Sequence, residues 1–293
     1  MPDDRIADDR VDIIICVHNA LPDVERCLHS VLASRTNTAH QRIIIIDDGS
    51  DGETADYLDR MTQHPELSVF RNTEATGYTK AVNRGISQSS ARLIVLLNSD
   101  TIVPMGWLEK LAEVFKSHED VGIVGPLSNA ATWQSVPDVT NKSGKFAIND
   151  LPAGLTVGDF DAVAARATQG LSRPRVQLLN GFCLMIKRDV IDTVGLFDEE
   201  LFPRGYGEED DFCFRASDAG FGLMIAIDTF VFHAKSKSYG TETRNLLAAA
   251  GGKALKNRYG ERRIQRGVGS MKVNAILRET RDRIHQSLHE SQS

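Results

Sequence analysis

The chain has 293 residues, of which 41% are hydrophobic and 25% are charged. This near-average composition excludes a disordered, collagenous or coiled-coil protein, and the longest apolar runs are far too short to span a membrane. The formal net charge of −6 argues against broad binding to nucleic acid, which requires a basic surface.

Two further features bear on where the protein works. Residues 1–10 carry four aspartates and no apolar stretch, so we expect no secretory signal. The four cysteines are far apart and show no C-x-x-C spacing, which argues against a disulfide framework or a zinc site. Together these features predict a cytoplasmic protein in a reducing compartment.

The charge is unevenly distributed along the chain. Residues 251–293 carry a net charge of +6, which leaves −12 for the first 250 residues. This basic segment also has a helical pattern of apolar residues. We interpret it first as a packing or oligomer-forming element, for example of a homodimer, and second as a peripheral contact with anionic lipid at the inner face of the membrane.

Strand-like and helix-like segments alternate over the first 125 residues. The patterning predicts strands at 11–17, 43–46, 67–70, 93–97 and 121–124, and helices near 21–32, 53–61, 78–86 and 107–115. Strands that are apolar throughout and separated by helices indicate a parallel sheet covered on both faces. Ligands of such sheets bind beyond the carboxyl ends of the strands.

The second half of the chain is less regular. Residues 128–174 are rich in Gly, Pro, Asn and Ser and have weak periodicity, which predicts a long loop or a small subdomain. Ordered elements are predicted again at 176–186, 188–194, 209–219, 223–227 and 230–232, followed by helical segments near 244–259 and 271–288.

Two aspartates follow the predicted strand at 43–46. Asp47 and Asp48 precede Gly49 and Ser50, and carboxylates at a strand end can accept hydrogen bonds from a base or a ribose. The alternative is structural, because Asp and Ser commonly cap a turn and the next helix. Taken in isolation, the pattern favours the structural interpretation.

The predicted strand at 93–97 runs into Asn98, Ser99, Asp100 and Thr101. A carboxylate at a strand end can hold a divalent ion, since Mg²⁺ commonly binds one or two protein carboxylates together with substrate phosphates. A turn aspartate is the alternative. A phosphatase that uses an Asp-x-Asp nucleophile is disfavoured, because Asn98 stands where the nucleophile would be.

Four consecutive carboxylates occupy residues 208–211, at the start of a predicted helix. The helix dipole favours acidic residues there, which is the structural explanation. Crowded carboxylates also repel one another, which raises their pKa values toward those of a general base. About twenty residues later, His233 ends a strand-like segment and is a candidate metal ligand or base.

Other nucleotide and hydrolase signatures are missing from the sequence. There is no G-x-G-x-x-G and no P-loop, which argues against a dinucleotide dehydrogenase or a P-loop enzyme. There is also no G-x-S-x-G nucleophile elbow.

The remaining motifs, in their order along the chain, resemble those of the family 2 glycosyltransferases. They are ICVHN at 15–19, DDGS at 47–50, NTEATGYTKAVNRG at 72–85, LNSDT at 97–101, NG at 180–181, GEEDD at 207–211 with Arg215, and His233. The resemblance runs from about 11 to 239. It implies an α/β protein of the GT-A fold, with a Rossmann-like, mostly parallel sheet flanked by helices and a C-terminal helical extension.

The same resemblance implies the domain organisation. Residues 1–240 are expected to form the catalytic domain, with a nucleotide-binding half at 11–125 and an acceptor-binding half at 126–240. Residues 241–293 are expected to form the helical extension, outside the catalytic part.

The resemblance also implies a set of donor-binding residues by position. Asp48 is expected to accept a hydrogen bond from the base, and Asn72 and Lys80 to contact the nucleoside and diphosphate. Asn98 stands where the family's Asp-x-Asp motif has its first aspartate, which leaves ribose contact to an amide. The complete set is Cys16, Val17, Asn19, Asp48, Asn72, Lys80, Asn98 and Ser99.

Three residues carry the implied chemistry. Asp100 and His233 match the family's metal ligands, for Mg²⁺ or Mn²⁺. Glu209 stands where the family usually has the catalytic aspartate of a Glu-Asp pair, so it is expected to take the proton from the acceptor hydroxyl. A single displacement would invert the anomeric centre and release a nucleoside diphosphate, with no covalent sugar intermediate.

The acceptor side is less defined. The loops at 128–137 and 140–175 are expected to set acceptor choice, with Trp133 as a candidate stacking platform for a sugar. Relatives suggest a glycan or a lipid-linked glycan as acceptor, in bacterial surface polysaccharide synthesis. Two alternatives remain open, a sugar-nucleotide pyrophosphorylase and a module that binds sugar nucleotide without turnover.

Overall fold

The structure is a computed structural model that describes residues 10–35, 41–235 and 241–290. The expectation of no secretory signal rests on residues 1–10, of which only Arg10 is described. The end of the resemblance, at 239, lies outside the described residues. The strands are β1 Val11–Val17, β2 Gln41–Asp48, β3 Leu67–Asn72, β4 Leu93–Asn98, β5 Thr101–Ile102, β6 Val121–Leu127, β7 Arg175–Val176, β8 Cys183–Lys187, β9 Gly222–Phe230 and β10 Phe232–His233.

Ten α-helices lie within the described part of the chain. They are α1 Leu21–Ala33, α2 Gly52–Met61, α3 Tyr78–Ser87, α4 Trp107–Ser117, α5 Val157–Ala167, α6 Arg188–Val194, α7 Glu208–Asp218, α8 Thr241–Tyr259, α9 Glu261–Lys272 and α10 Ala275–Glu290. The helical segment predicted at 271–288 therefore begins near the end of one helix and continues in another, with the break at Val273 and Asn274.

Eight strands form one sheet in the order β3-β2-β1-β4-β8-β6-β9-β7, and β5 pairs separately with β10. The sheet is mostly parallel, as predicted from the resemblance, and the parallel pairing expected for the first 125 residues is confirmed for β1 to β4. Two strands from the second half run against their neighbours. β8 runs antiparallel to both β4 and β6, and β7 runs antiparallel to β9. β8 reverses because the excursion after β6 returns at the same edge of the sheet, where Cys183 pairs with Leu97.

Alternate residues of the central strands feed two cores, one on each face of the sheet. Ile14 packs with α3 and α7 on one face, whereas Ile13 and Ile15 pack with α1, α2 and α4 on the other. Residues buried on both faces explain why these strands are apolar throughout. The helix α3 lies so close to β1 that a methyl group added at Gly85 would come within 2.4 Å of the Ile14 side chain.

The segment 128–174 is more ordered than its composition predicts. It contains a short 3-10 turn at Thr132–Gln134 and the helix α5. The Thr156 side chain accepts a hydrogen bond from the Asp159 backbone N–H, and the Asp159 carboxylate accepts one from the Thr156 N–H, which forms a capping box. Val157 and Phe160 then anchor α5 in the core.

The C-terminal helices pack on the rest of the protein. Met271, Leu277, Ile284 and Leu288 are buried in the same hydrophobic cluster as Phe160. This burial agrees with the packing interpretation of the basic segment. No helix in the described residues is both long and apolar enough to cross a membrane.

Candidate active site

A cavity of about 560 Å³ opens where β1, β2 and β4 end. Parallel strands deliver their following residues to one edge, and the reversal of β8 adds Asn180 and Gly181 at the same edge. The cavity brings together eight of the residues predicted from the sequence. They are Cys16, Val17, Asp48, Asn98, Ser99, Asp100, Glu209 and His233.

The two aspartates after β2 have different environments. The Asp47 carboxylate accepts hydrogen bonds from the Ser50 backbone N–H at 2.9 Å and from Arg71 Nε at 2.6 Å, so it caps the turn. Asp48 instead lines the cavity. The structural interpretation therefore describes the first aspartate.

Asp48 also organises the loop after β3. Its Oδ1 accepts hydrogen bonds from Asn72 Nδ2 and from Thr76, and its Oδ2 accepts one from the Gly77 N–H at 2.8 Å. Burial raises the pKa of Asp48, but these hydrogen bonds outweigh burial and hold the pKa below its ordinary value. The carboxylate is therefore ionised, and Oδ2 keeps acceptor capacity for a ligand donor.

Three of the predicted donor-binding residues do not line the cavity. Asn19 Oδ1 accepts a hydrogen bond from the Asp51 N–H at 3.0 Å, which ties the β1 loop to the β2 loop. Asn72 is bound to Asp48, and its Oδ1 accepts a hydrogen bond from Arg84. Lys80 is exposed in the first turn of α3. The structure thus places the two asparagines in loop support.

Asp100 and His233 meet at one wall of the cavity. Antiparallel pairing of β5 with β10 sets His233 opposite Thr101, and His233 Nε2 lies 3.3 Å from Asp100 Oδ1. The His233 side chain is only 6% exposed and stacks on Phe182, with ring centroids 5.3 Å apart.

The orientation of His233 is fixed by its other nitrogen. Nδ1 lies 3.2 Å from the Ala130 carbonyl oxygen, which can only accept, so Nδ1 carries the hydrogen. In the neutral ring, the Nε2 lone pair then faces the Asp100 carboxylate. A protonated ring would donate from Nε2 to Asp100 as an ion pair, whereas the neutral ring leaves two acceptors that a cation could bridge. A histidine and a carboxylate are ligands that suit Mn²⁺.

The loop after β6 holds this histidine in place. Asn129 is buried, its Oδ1 accepts a hydrogen bond from the His233 N–H at 2.7 Å, and its Nδ2 donates one to the His233 carbonyl at 3.1 Å. Sequence reasoning assigned this loop to acceptor choice through Trp133. Trp133 does not line the cavity, and packs edge-on against Phe146 with ring centroids 5.4 Å apart.

Glu209 lies in the first turn of α7 and faces the cavity. Its Oε2 accepts a hydrogen bond from the Gly207 N–H at 3.2 Å, and a methyl group added at Gly181 would lie 3.3 Å from Glu209 Cβ. Burial and the Glu209 charge raise the pKa of Glu208 well above its ordinary value. The same two causes raise the pKa of Asp210 to about 8. Of the four carboxylates of this cluster, only Glu208 and Glu209 line the cavity.

Several basic and aromatic residues complete the cavity, and the sequence analysis assigned none of them a role. Lys235 lines the cavity together with Asp100 and Glu209, and burial holds the pKa of Lys235 below its ordinary value despite those carboxylates. Arg244 comes from α8, outside the expected catalytic domain. The other additional lining residues include Tyr78, Phe182, Arg204 and Tyr206. The basic character of Arg204, Lys235 and Arg244 is the one signal that the sequence offered.

Comparison with known proteins defines the class of this chain. Residues 12–194 match the family described as Glycosyl transferase family 2. The chain therefore belongs to the family 2 glycosyltransferases.

Two named relatives show how far the similarity extends. Glycosyltransferase AglE of Haloferax volcanii is 25% identical over 226 residues, which is 76% of this chain and 66% of the relative. A poly-beta-1,6-N-acetyl-D-glucosamine synthase of Staphylococcus aureus is 24% identical over 192 residues, which is 65% of this chain and 42% of the relative. The chain thus spans less than two thirds of the length of these relatives.

Solved structures share the fold. GalNAc-T7 with UDP, GalNAc and Mn²⁺ superposes with a TM-score of 0.65 at 16% identity, covering 94% of this chain and 54% of that one. The mannosyltransferase PcManGT from Pyrobaculum calidifontis, in complex with GDP-Man and Mn²⁺, gives 0.61 at 15% identity, covering 97% and 76%. The crystal structure of S. aureus TarS 1-349 gives 0.56 at 13% identity, covering 96% and 82%. These likenesses confirm the predicted GT-A fold.

Proposed function

We propose that this protein is a metal-dependent inverting glycosyltransferase that moves a sugar from a nucleoside-diphosphate sugar to a hydroxyl of a glycan or lipid-linked glycan. The observation that carries the proposal is the convergence in one cavity of the Asp100–His233 pair with Glu209. In a single displacement, a carboxylate base takes the acceptor proton, and positive charge stabilises the leaving diphosphate.

Asp100 and His233 are the proposed metal ligands. The described residues contain no group of three or more His, Cys, Asp or Glu that could hold a metal ion. Two protein ligands suit a divalent ion that takes its remaining ligands from a diphosphate and water. When bound, the ion would supply positive charge to the leaving nucleoside diphosphate. The complexes of GalNAc-T7 and PcManGT with Mn²⁺ support this choice.

Glu209 is the proposed base. It accepts the proton of the acceptor hydroxyl as that oxygen attacks the anomeric carbon, and the sugar–phosphate bond breaks on the opposite face. The Gly207 N–H orients its carboxylate, and the Gly181 backbone limits its movement. Lys235 and Arg244 add positive charge to the cavity wall where the diphosphate is proposed to lie.

The donor nucleoside is proposed to bind between the β1 and β2 loops. Cys16, Val17 and Asp48 line that part of the cavity, and Asp48 Oδ2 is the acceptor available to a base N–H. Asn98 and Ser99 are proposed to lie at the ribose. The relative named for poly-beta-1,6-N-acetyl-D-glucosamine synthesis supports a role in surface polysaccharide synthesis.

A screen of nucleotide sugars tests the proposal. With Mn²⁺ and a matching donor, we expect release of nucleoside diphosphate, at least about 100-fold slower in Asp100→Ala. Asp51→Ala is the control, because Asp51 is exposed in the neighbouring loop and does not line the cavity. Release that persists in Asp100→Ala with a chelator would contradict the metal role, and consumption of pyrophosphate would contradict the transfer itself.

A further inference from the structure

The turn before α7, residues 202–207, is here called the base loop because it leads into Glu209. Its last three residues all have positive φ, with 87° at Gly205, 69° at Tyr206 and 124° at Gly207. Positive φ disfavours a tyrosine, so surrounding contacts must hold Tyr206 in this conformation. The base loop therefore depends on what packs against it.

The helix α8 packs directly on this loop. At Gly251 the helix passes so close to the loop that a methyl group would lie 1.7 Å from the Tyr206 carbonyl oxygen. One turn later, Leu255 is buried against the loop, where its Cδ1 would lie 3.2 Å from a methyl group added at Gly207. A methyl group added at the adjacent Gly252, by contrast, would have nothing within 4 Å.

The end of α8 also holds the first turn of α7. Asp211 has a fully buried carboxylate, two residues after Glu209. It accepts hydrogen bonds from Arg258 at 2.8 Å and from the Tyr259 hydroxyl at 2.6 Å, in addition to Arg215 of its own helix at 2.8 Å. These partners fix the position of the buried carboxylate, and losing Arg258 removes one of the two cations that compensate its charge.

Arg258 connects this carboxylate to the start of the base loop. The same guanidinium nitrogen donates to Asp198 at 2.8 Å. Asp198 in turn accepts a hydrogen bond from the Leu201 N–H at 2.9 Å, directly before the base loop. One arginine of α8 thus joins the two segments that flank the base loop.

We propose that α8 is part of the catalytic centre and positions Glu209, with Arg258 and Tyr259 acting as positioning residues through Asp211 and the base loop. The inference deepens the proposed function, because it rests on Glu209 as the base. It departs from the expected organisation, in which the segment after 240 lies outside the catalytic part.

The fold offers two matched pairs of variants. Gly251→Ala places a methyl group against the base loop, whereas Gly252→Ala makes the same change in the same helix toward open space. Arg258→Gln removes a contact to the first turn of α7. Lys256→Gln removes an exposed ion pair at the end of the same helix, where Lys256 binds Glu261 at 3.0 Å.

Two measurements separate positioning from general stability. The first is the rate of transfer at saturating donor, which we expect to fall at least about 10-fold in Gly251→Ala and Arg258→Gln, since small displacements of a base are costly. Gly252→Ala and Lys256→Gln should stay within about 2-fold of the parent. The second is amide hydrogen exchange over 205–212, which should accelerate in the first two variants only.

Equal transfer rates and equal amide hydrogen exchange for the two members of each pair would overturn the inference. Tyr259→Phe, which removes one hydroxyl, should show the same direction with a smaller loss even where Arg258→Gln fails to fold. A wild-type rate in Glu209→Gln would instead contradict the proposed function, and the exchange measurement would still show whether α8 holds the base loop.

Discussion

His233 illustrates which parts of the site the sequence could predict. The polar residues directly after β1, β2 and β4 were predictable, because a strand end marks its own following residues. The support for His233 was not. Asn129 and Ala130 lie more than 100 positions earlier in the chain, and only the pairing of β10 with β5 brings His233 to them. The support role of Asn72 was also not predictable, because its side-chain amide donates to the Asp48 carboxylate, 24 positions earlier in the chain.

The Asn129 contact gives a first prediction. Asn129→Ala removes both hydrogen bonds to the His233 backbone, so the imidazole loses its fixed position. We expect Mn²⁺ affinity in the presence of nucleoside diphosphate to fall about 10- to 100-fold by calorimetric titration. Asn141→Ala is the control, since Asn141 forms only local bonds in the exposed loop at 141–145. Unchanged affinity in Asn129→Ala would contradict this support role.

The acidic cluster gives a pH prediction. The pKa of Asp210 is raised from 3.8 to about 8 in the folded protein, first by burial and then by Glu209. The folded state therefore binds more protons than the unfolded chain, and this contribution to stability is lost as the pH rises from about 4 through about 8. We expect the free energy of unfolding, measured with urea, to fall between about pH 6 and about pH 9 in the parent protein. The fall should be smaller in Asp210→Asn, because this variant lacks the titrating carboxyl group.

Asp192→Asn is the control for that comparison, because Asp192 is exposed on α6. It should keep the pH dependence of the parent protein. If Asp210→Asn retained the same dependence, the raised pKa would not be the cause.

At the scale of the elements, α5 and β8 were hidden for different reasons. The pattern of α5 was present in the sequence, with Thr156 and Asp159 as a capping box and Val157, Phe160 and Val163 on one face. The surrounding Gly and Pro content obscured it. The reversal of β8 has no local signal, because its residues are apolar in either direction and only the path of the preceding excursion sets it.

The capping box of α5 can be tested directly. Thr156→Ala leaves the first-turn N–H groups of α5 without a side-chain acceptor. We expect the free energy of unfolding to fall by about 1 kcal/mol in urea titrations. Ser117→Ala should change it by less than about 0.5 kcal/mol, because that hydroxyl is exposed and bonds within α4. Equal values for both variants would show that the cap contributes nothing.

At the scale of the whole molecule, the basic C-terminal segment belongs to the folded body. Five of its apolar residues, Leu255, Met271, Leu277, Ile284 and Leu288, are buried. Several of its cations bind acidic or carbonyl groups of the preceding chain. Arg258 and Arg263 bind carboxylates of α7, and Arg281 donates to the carbonyls of Trp133 and Ser135. The basic C-terminal segment and the acidic remainder of the chain therefore partly pair with each other within the folded protein.

A shared core predicts cooperative unfolding. Ile284 is fully buried on α10 in the cluster that contains Phe160, so Ile284→Ala should lower the free energy of unfolding by about 3 kcal/mol. Fluorescence of the buried Trp107 and far-ultraviolet circular dichroism should report a single transition. Leu246→Ala, at an exposed position of α8, should have little effect. Two separate transitions would show that the C-terminal helices fold independently.

The central claim is that Glu209 is the base of a transfer reaction. The most direct test measures transfer by Glu209→Gln at saturating donor with Mn²⁺, together with nucleoside diphosphate affinity. The account predicts a rate at least about 100-fold below the parent, with affinity within about 2-fold. A parent-like rate with a correctly folded protein would contradict it.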